Sequence, residues 1–206
     1  MRSVFRALLV LVALLVVGGG VAAYSIASRG LSTRADPSWI EATLAKAMRS
    51  WATSRTMRNT RNPVQPSPEV IQEALAHFAD HCAGCHGNDG SGTEIGRSFY
   101  PPAPDLRAAG TQGLTDGEIF SIIEQGIRMT GMPAWGNGTP EGEHQSWALV
   151  HFIRRLPSLT AEDVARMEAL NPKSPDQLRE DEEIRKFLAG EDPSSAAAPP
   201  PHKHPQ

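Results

Sequence analysis

HFADHCAGCHGNDGSG, residues 77–92, holds both cysteines of a 206-residue chain: Cys82 and Cys85 stand three apart, and His86 follows at once. Such a pair suits a disulfide or redox dithiol, a metal clamp, or an anchor for something larger. A redox dithiol of this spacing expects a strand before it and a helix after it. Here the order is an apolar helical pattern and then a glycine-rich loop. A structural zinc site needs four ligands, and the chain has no second cysteine pair.

Working outward, the preceding segment reads as a helix with Ser67 as N-cap and Pro68 in its first turn. Ile71, Leu75 and Phe78 fall at i, i+4 and i+7 and deliver Cys82 at its end. A second helix opens on Thr115-Asp116-Gly117-Glu118, where hydroxyl and carboxylate satisfy each other's backbone donors; Ile119, Ile122, Ile123 and Ile127 follow. A third covers about 143–156, with Leu149, Phe152, Ile153 and Leu156 as its stripe. No stretch alternates at period two, so the domain is expected to be all-α.

The chain between these helices is hard to stabilise. Residues 87–114 contain six glycines and three prolines, and residues 129–142 contain four and two. So much irregular backbone in a domain of roughly 90 residues leaves little apolar area to offset conformational entropy, unless a bulky apolar ligand fills the centre. Covalent haem meets both demands: two thiols spaced to reach the vinyl groups on one porphyrin edge, and a histidine one residue on to take the iron. That reading is preferred over the disulfide and the zinc clamp.

With these residues the chain resembles the class I c-type cytochromes, in particular the membrane-anchored monohaem proteins of bacteria, over residues 67–157. The resemblance implies one haem c, attached through Cys82 and Cys85, with His86 as proximal iron ligand. Phe78, four before the first cysteine, is then the aromatic that packs the first helix on the last. Pro104, in Pro101-Pro102-Ala103-Pro104, corresponds to the proline whose carbonyl accepts the histidine Nδ1 proton. The sixth ligand comes from a loop between the second and third helices. GIRMTGMPAW, residues 126–135, offers Met129 and Met132, and the family's Gly-Met-Pro-Ala-Trp pattern falls on Met132. Gly131 lets the backbone approach and Pro133 stiffens it, whereas Met129, within a turn of the isoleucine helix, reads as core packing. His144, His151 or an open position are the other candidates. Trp135 is expected near the haem or its propionates, against a reading as ordinary core; His77 and His81 are surface or partly buried residues.

The amino terminus carries Arg2 and Arg6 and then runs without a charge from Ala7 to Ser28, about the thickness of a hydrocarbon core. A cleaved leader also fits, but the run continues past Gly18-Gly19-Gly20 for a full span, so residues 1–28 are read as an anchor. Residues 29–61 hold seven basic and two acidic residues, whereas eleven basic and twenty-one acidic residues follow from Asn62 onward. The acidic part argues against nucleic acid and for basic protein partners. A helix over 36–61 is expected, with Asp36 as N-cap, Pro37 first, and Ile40, Leu44, Ala47, Met48 and Trp51 on one face. Its basic polar face suits an anionic membrane surface, and packing on the main domain fits equally. Asn62-Pro63 and Pro66 mark the end of this linker, residues 29–66.

Beyond the third helix, Thr160 with the apolar pair Leu159 and Val164 predicts a helix to about Leu170. Ser174-Pro175-Asp176-Gln177 predicts another, ended by Gly190. These form a helical extension, 158–190, and Glu191–Gln206 has the composition of a disordered tail. His202 and His204 read as part of that tail rather than as a copper or nickel site.

The expected molecule is all-α: a cytochrome c-like haem domain between an N-terminal transmembrane helix and a C-terminal helical extension. The resemblance implies an electron carrier rather than an enzyme, on the periplasmic face of a bacterial inner membrane, with redox proteins as partners and no small-molecule substrate. The alternatives are a subunit of a larger dehydrogenase or reductase, and a haem enzyme or gas sensor whose sixth ligand is displaceable.

Overall fold

The computed structural model describes residues 2–29 and 32–189. Among these residues there are helices and no strands: α1 (Arg2–Arg29), α2 (Trp39–Ala52), α3 (Arg55–Asn59), α4 (Pro68–His77), α5 (Ala83–His86), α6 (Glu94–Arg97), α7 (Ala109–Gln112), α8 (Asp116–Gln125), α9 (Pro140–Arg155), α10 (Ala161–Leu170) and α11 (Pro175–Leu188). Gly190 and the tail with His202 and His204 lie outside the described residues.

Local chemistry explains most helix starts. The hydroxyls of Ser67, Thr115, Thr139, Thr160 and Ser174 each accept a backbone N–H three residues on, and Glu118, Asp163 and Gln177 return the bond to complete capping boxes. The third predicted helix begins earlier than expected, at Pro140, because Thr139 caps it.

Two expectations need correction. Asp36 is not an N-cap and Pro37 is not the first helical residue: Ser38 caps α2 through a box with Glu41, which satisfies two backbone donors where Asp36 would satisfy one. The helix does not run to residue 61 either, because Ser54 starts a new one, α3, by accepting from the Met57 N–H.

The core lies where α4 crosses α9. Phe78 meets Phe152 at 5.1 Å between ring centroids, and Leu75, Val150 and Met167 of α10 are fully buried with them. Against the other side of α9 stands α8, through Phe120 stacked on Trp147 at 4.0 Å. Arg154 fastens the start of α8, donating to Asp116 Oδ1 at 2.8 and 3.0 Å and to the Gln112 carbonyl at 2.7 Å. Gln112 in turn donates to the carbonyls of Leu106 and Ile153, pinning the long loop to α9. Truncating Phe152→Ala is expected to cost about 3–5 kcal/mol, read from urea unfolding of the full chain, because it opens a hole where rigid helices meet.

The chain before α4 is also tied down. Asn62 donates to the Trp147 carbonyl at 2.8 Å, and His151 Nε2 lies 2.7 Å from the Val64 carbonyl. α3 packs on α8 so closely that a Cβ on Gly117 would meet the Met57 carbonyl oxygen at 1.8 Å. By contrast α2 and α11 bury no residue, and the apolar stretch Arg2–Ser25 of α1 is unburied and long enough to cross a membrane. A helix of that length near the N-terminus is consistent with a single-pass anchor or a signal peptide.

Candidate haem site

The helix leading to the cysteines is not regular to its end. Residues Phe78–Cys82 form one π-helical turn, and α5, four residues long, follows at once. Such a turn takes an extra residue, so Phe78 and Ala79 both stay buried while the next side chains are turned away from the core. Cys82 and Cys85 are half-buried free thiols. Burial, with Cys85 adjacent, pushes the Cys82 thiol up to about 12, so it is a neutral thiol at physiological pH. A nucleophilic dithiol works through a lowered pKa, which is the reverse of this environment. Among the described residues no three His, Cys, Asp or Glu side chains gather as a metal cluster.

Gly87, at φ +74°, ends α5 and donates to the Ala83 carbonyl. The chain then turns back over the cysteine segment. Gly92 N–H donates to the His86 carbonyl at 2.6 Å and Thr93 N–H to the Cys85 carbonyl at 3.0 Å. The Thr93 hydroxyl donates to the Gly84 carbonyl at 2.8 Å and accepts from Gly96 N–H. A Cβ on Gly96 would stand 2.0 Å from the Cys85 carbonyl oxygen, so glycine alone admits this contact.

The proline run is fastened at both ends, by Ala103 N–H to the Gly96 carbonyl and Leu106 N–H to the Gly90 carbonyl, each at 2.9 Å. Arg107 braces it further, pairing with Asp89 at 2.8 Å and doubly with Asp105. Both aspartates sit below their usual carboxylate range: for Asp105 the Arg107 bond is the main cause, while for Asp89 burial opposes the shift and is outweighed by the Ser91 bonds and then by Arg107. Pro104 is thereby presented to His86. Burial lowers the imidazole's basicity and the Pro104 carbonyl opposes that, yet His86 Nδ1 stays outside hydrogen-bond geometry and is a buried nitrogen without a partner. A ring held by iron on its other nitrogen would give that N–H its natural acceptor in Pro104.

Gly126, at φ +62°, closes α8 and begins a tight loop. Ile127 N–H donates to the Met132 carbonyl, and the Thr130 hydroxyl accepts from Met132 N–H, both at 3.1 Å. Trp135 and Gly136 then donate to the carbonyls of Ile123 and Glu124, strapping the loop along α8. Met132 is half-buried. Met129 is not core packing: with φ +63° it leaves the helical path and is 92% exposed.

Contacts bring the segments together around the cysteine turn. The Phe99 ring covers Gly131, and Trp135 lies 5.3 Å from the His81 ring, one residue before Cys82. Trp135 is 39% exposed, so it is not an ordinary core residue. His77, edge-on to His81, is made less basic chiefly by burial. Ile95, Phe99 and Trp135 stay exposed on the very segments that touch the turn, as side chains do where an apolar partner would cover them. Of the other candidate sixth ligands, His151 is engaged by Val64 and His144 is exposed near the start of α9.

The residues present fit a covalently held haem: two free thiols at the required spacing, a buried histidine whose orphaned nitrogen lies toward the Pro104 carbonyl, and a half-buried thioether at Met132. Sequence reading did not find Thr93, Gly96 or the Asp89–Arg107–Asp105 clamp. The only signals were Asp-Gly and Pro-Asp turns, which mark loops without saying what they hold.

An all-helical domain with this site is a c-type cytochrome domain. More particularly, residues 69–153, from the first turn of α4 to the last of α9, match the model of the family described as "Cytochrome C oxidase, cbb3-type, subunit III". No curated protein matches the chain.

Proposed function

We propose that this chain is a membrane-anchored monohaem cytochrome that passes single electrons between respiratory partners in the periplasm. The observation that supports it is the Cys82–His86 turn, with the orphaned His86 nitrogen toward Pro104 and the Met132 loop reaching its surroundings through Gly131 at Phe99 and Trp135 at His81. When bound, haem would supply a one-electron centre whose potential depends on the residues that hold it. Cys82 and Cys85 hold one edge of the group. His86 provides one iron ligand, oriented by Pro104, which the Arg107 clamp keeps in place. Met132 would provide the other, from a loop whose internal bonds limit its movement. Trp135 lines the rim beside His81. The acidic surface suits a basic docking partner, and exchange with it slows as salt rises.

The match to an oxidase subunit favours a second reading, in which the same domain delivers electrons as a fixed part of a larger complex. Solubilisation of native membranes in mild detergent, followed by affinity purification of the chain, separates the two. A carrier elutes alone; a subunit brings further haem-bearing polypeptides in constant ratio.

A further inference from the structure

α2 is mounted with its apolar side outward. Ile40, Leu44, Met48 and Trp51 recur at helical spacing on one face, and all are exposed, at 58, 59, 60 and 88%. The half-buried residues are Ala42, Arg49 and Ser50, on the other side of the helix. The mounting is specific. Arg58 of α3 donates to the carbonyls of Ser50 and Thr53 at the end of α2 and pairs with Glu118 of α8 at 3.4 Å, and the Tyr100 hydroxyl donates to Glu41 at 3.1 Å. A helix held by its polar side leaves an apolar stripe for something outside the domain.

Position and charge identify that partner. Only nine residues separate Arg29, the end of α1, from Trp39, so α2 lies within roughly 30 Å of whatever α1 enters. The surrounding segment, 29–61, is basic, with seven cationic and two anionic residues. An apolar stripe with tryptophan, backed by lysine and arginine, is the composition of helices that lie in the plane of an anionic bilayer.

We propose that α2 is an interfacial membrane helix, with Ile40, Leu44, Met48 and Trp51 in the lipid and the positive charge of segment 29–61 drawing it to anionic headgroups. This rests on the reading that α1 is retained as an anchor. Since Tyr100 bonds Glu41 and the neighbouring Phe99 covers Gly131, the Met132 side of the site is then held toward the membrane.

The test uses the full haem-bearing chain in vesicles of phosphatidylcholine with phosphatidylglycerol. An environment-sensitive fluorophore is attached through Leu44→Cys or, on the opposite face, Lys46→Cys; both positions are exposed, so folding is spared. Nitroxide-labelled lipid should quench position 44 several-fold more than position 46, with aqueous iodide showing the reverse order. Equal access of iodide to both positions overturns the proposal. So does a position 44 shielded from iodide and lipid quencher alike, since a second copy or another protein then covers the stripe. Intact mass on the same sample separates the two readings. A chain lacking residues 1–28 whose position 44 is still lipid-quenched removes the anchor and keeps the interfacial helix, while a full-length chain open to iodide does the opposite.

Discussion

With Cys82→Ala and Cys85→Ala combined, denatured protein should carry no haem, and the fold around residues 78–136 should lose its cooperative melting. Extraction with acidified organic solvent, followed by the absorption spectrum in alkaline pyridine, checks the first point, since thioether-linked haem stays with the polypeptide. The second follows from chain entropy. Residues 87–114 and 129–142 contain ten glycines and five prolines between them, and ordering backbone costs about 1–2 kcal/mol per residue. The described core is drawn from α4, its π turn, α5, α8, α9 with Leu156 just after it, and α10, and Leu106 is its one member from these two loops. Their other ties are the hydrogen bonds around Gly92, Thr93, Arg107, Gln112 and Thr130 and those of Trp135 and Gly136 to α8, to which the attached group would add contacts at Phe99, Met132 and Trp135. Single variants should keep one thioether and shift the reduced pyridine band part of the way toward that of free haem. An unchanged melting midpoint in the double variant would overturn the claim that the attached group supplies the missing centre.

Met132→Ala is the second large effect. The oxidised protein should lose its weak far-red sulfur-to-iron band, the reduced protein should bind carbon monoxide readily, and the reduction potential should fall on the order of 100 mV or more, within the roughly 0.8 V that axial ligands span. Met129→Ala should leave all three unchanged, because Met129 points to solvent from a left-handed backbone position. The exchanged outcome, a band lost with Met129 and kept with Met132, would reassign the ligand. Free binding of carbon monoxide by the unaltered protein would favour the sensor or enzyme reading over the carrier.

Much of the architecture was legible because its causes are local. A serine or threonine whose hydroxyl caps the backbone N–H three residues on starts a helix with little help from the rest of the molecule, as at Ser67, Thr115, Thr160 and Ser174. The stripe of α9 and the Phe78–Phe152 contact follow from helical periodicity, which records which face must leave water. The start of α2 lies at Ser38 rather than Asp36 because the box of Ser38 with Glu41 satisfies two backbone donors.

The sequence by itself determined the helical class, the caps, the buried stripes and the three-residue spacing at Cys82-Ala83-Gly84-Cys85-His86, because each depends on residues within a few positions of one another. Only the tertiary structure decided the π turn at Phe78–Cys82, the Arg107 clamp from Asp89 to Asp105, the meeting of Phe99 with Gly131, and the outward turn of Met129 and of the α2 stripe. Those features are contacts between segments far apart in the chain, or choices of which side of a helix faces its neighbours. No local pattern encodes them, since the partner that settles each one is brought into place by folding itself.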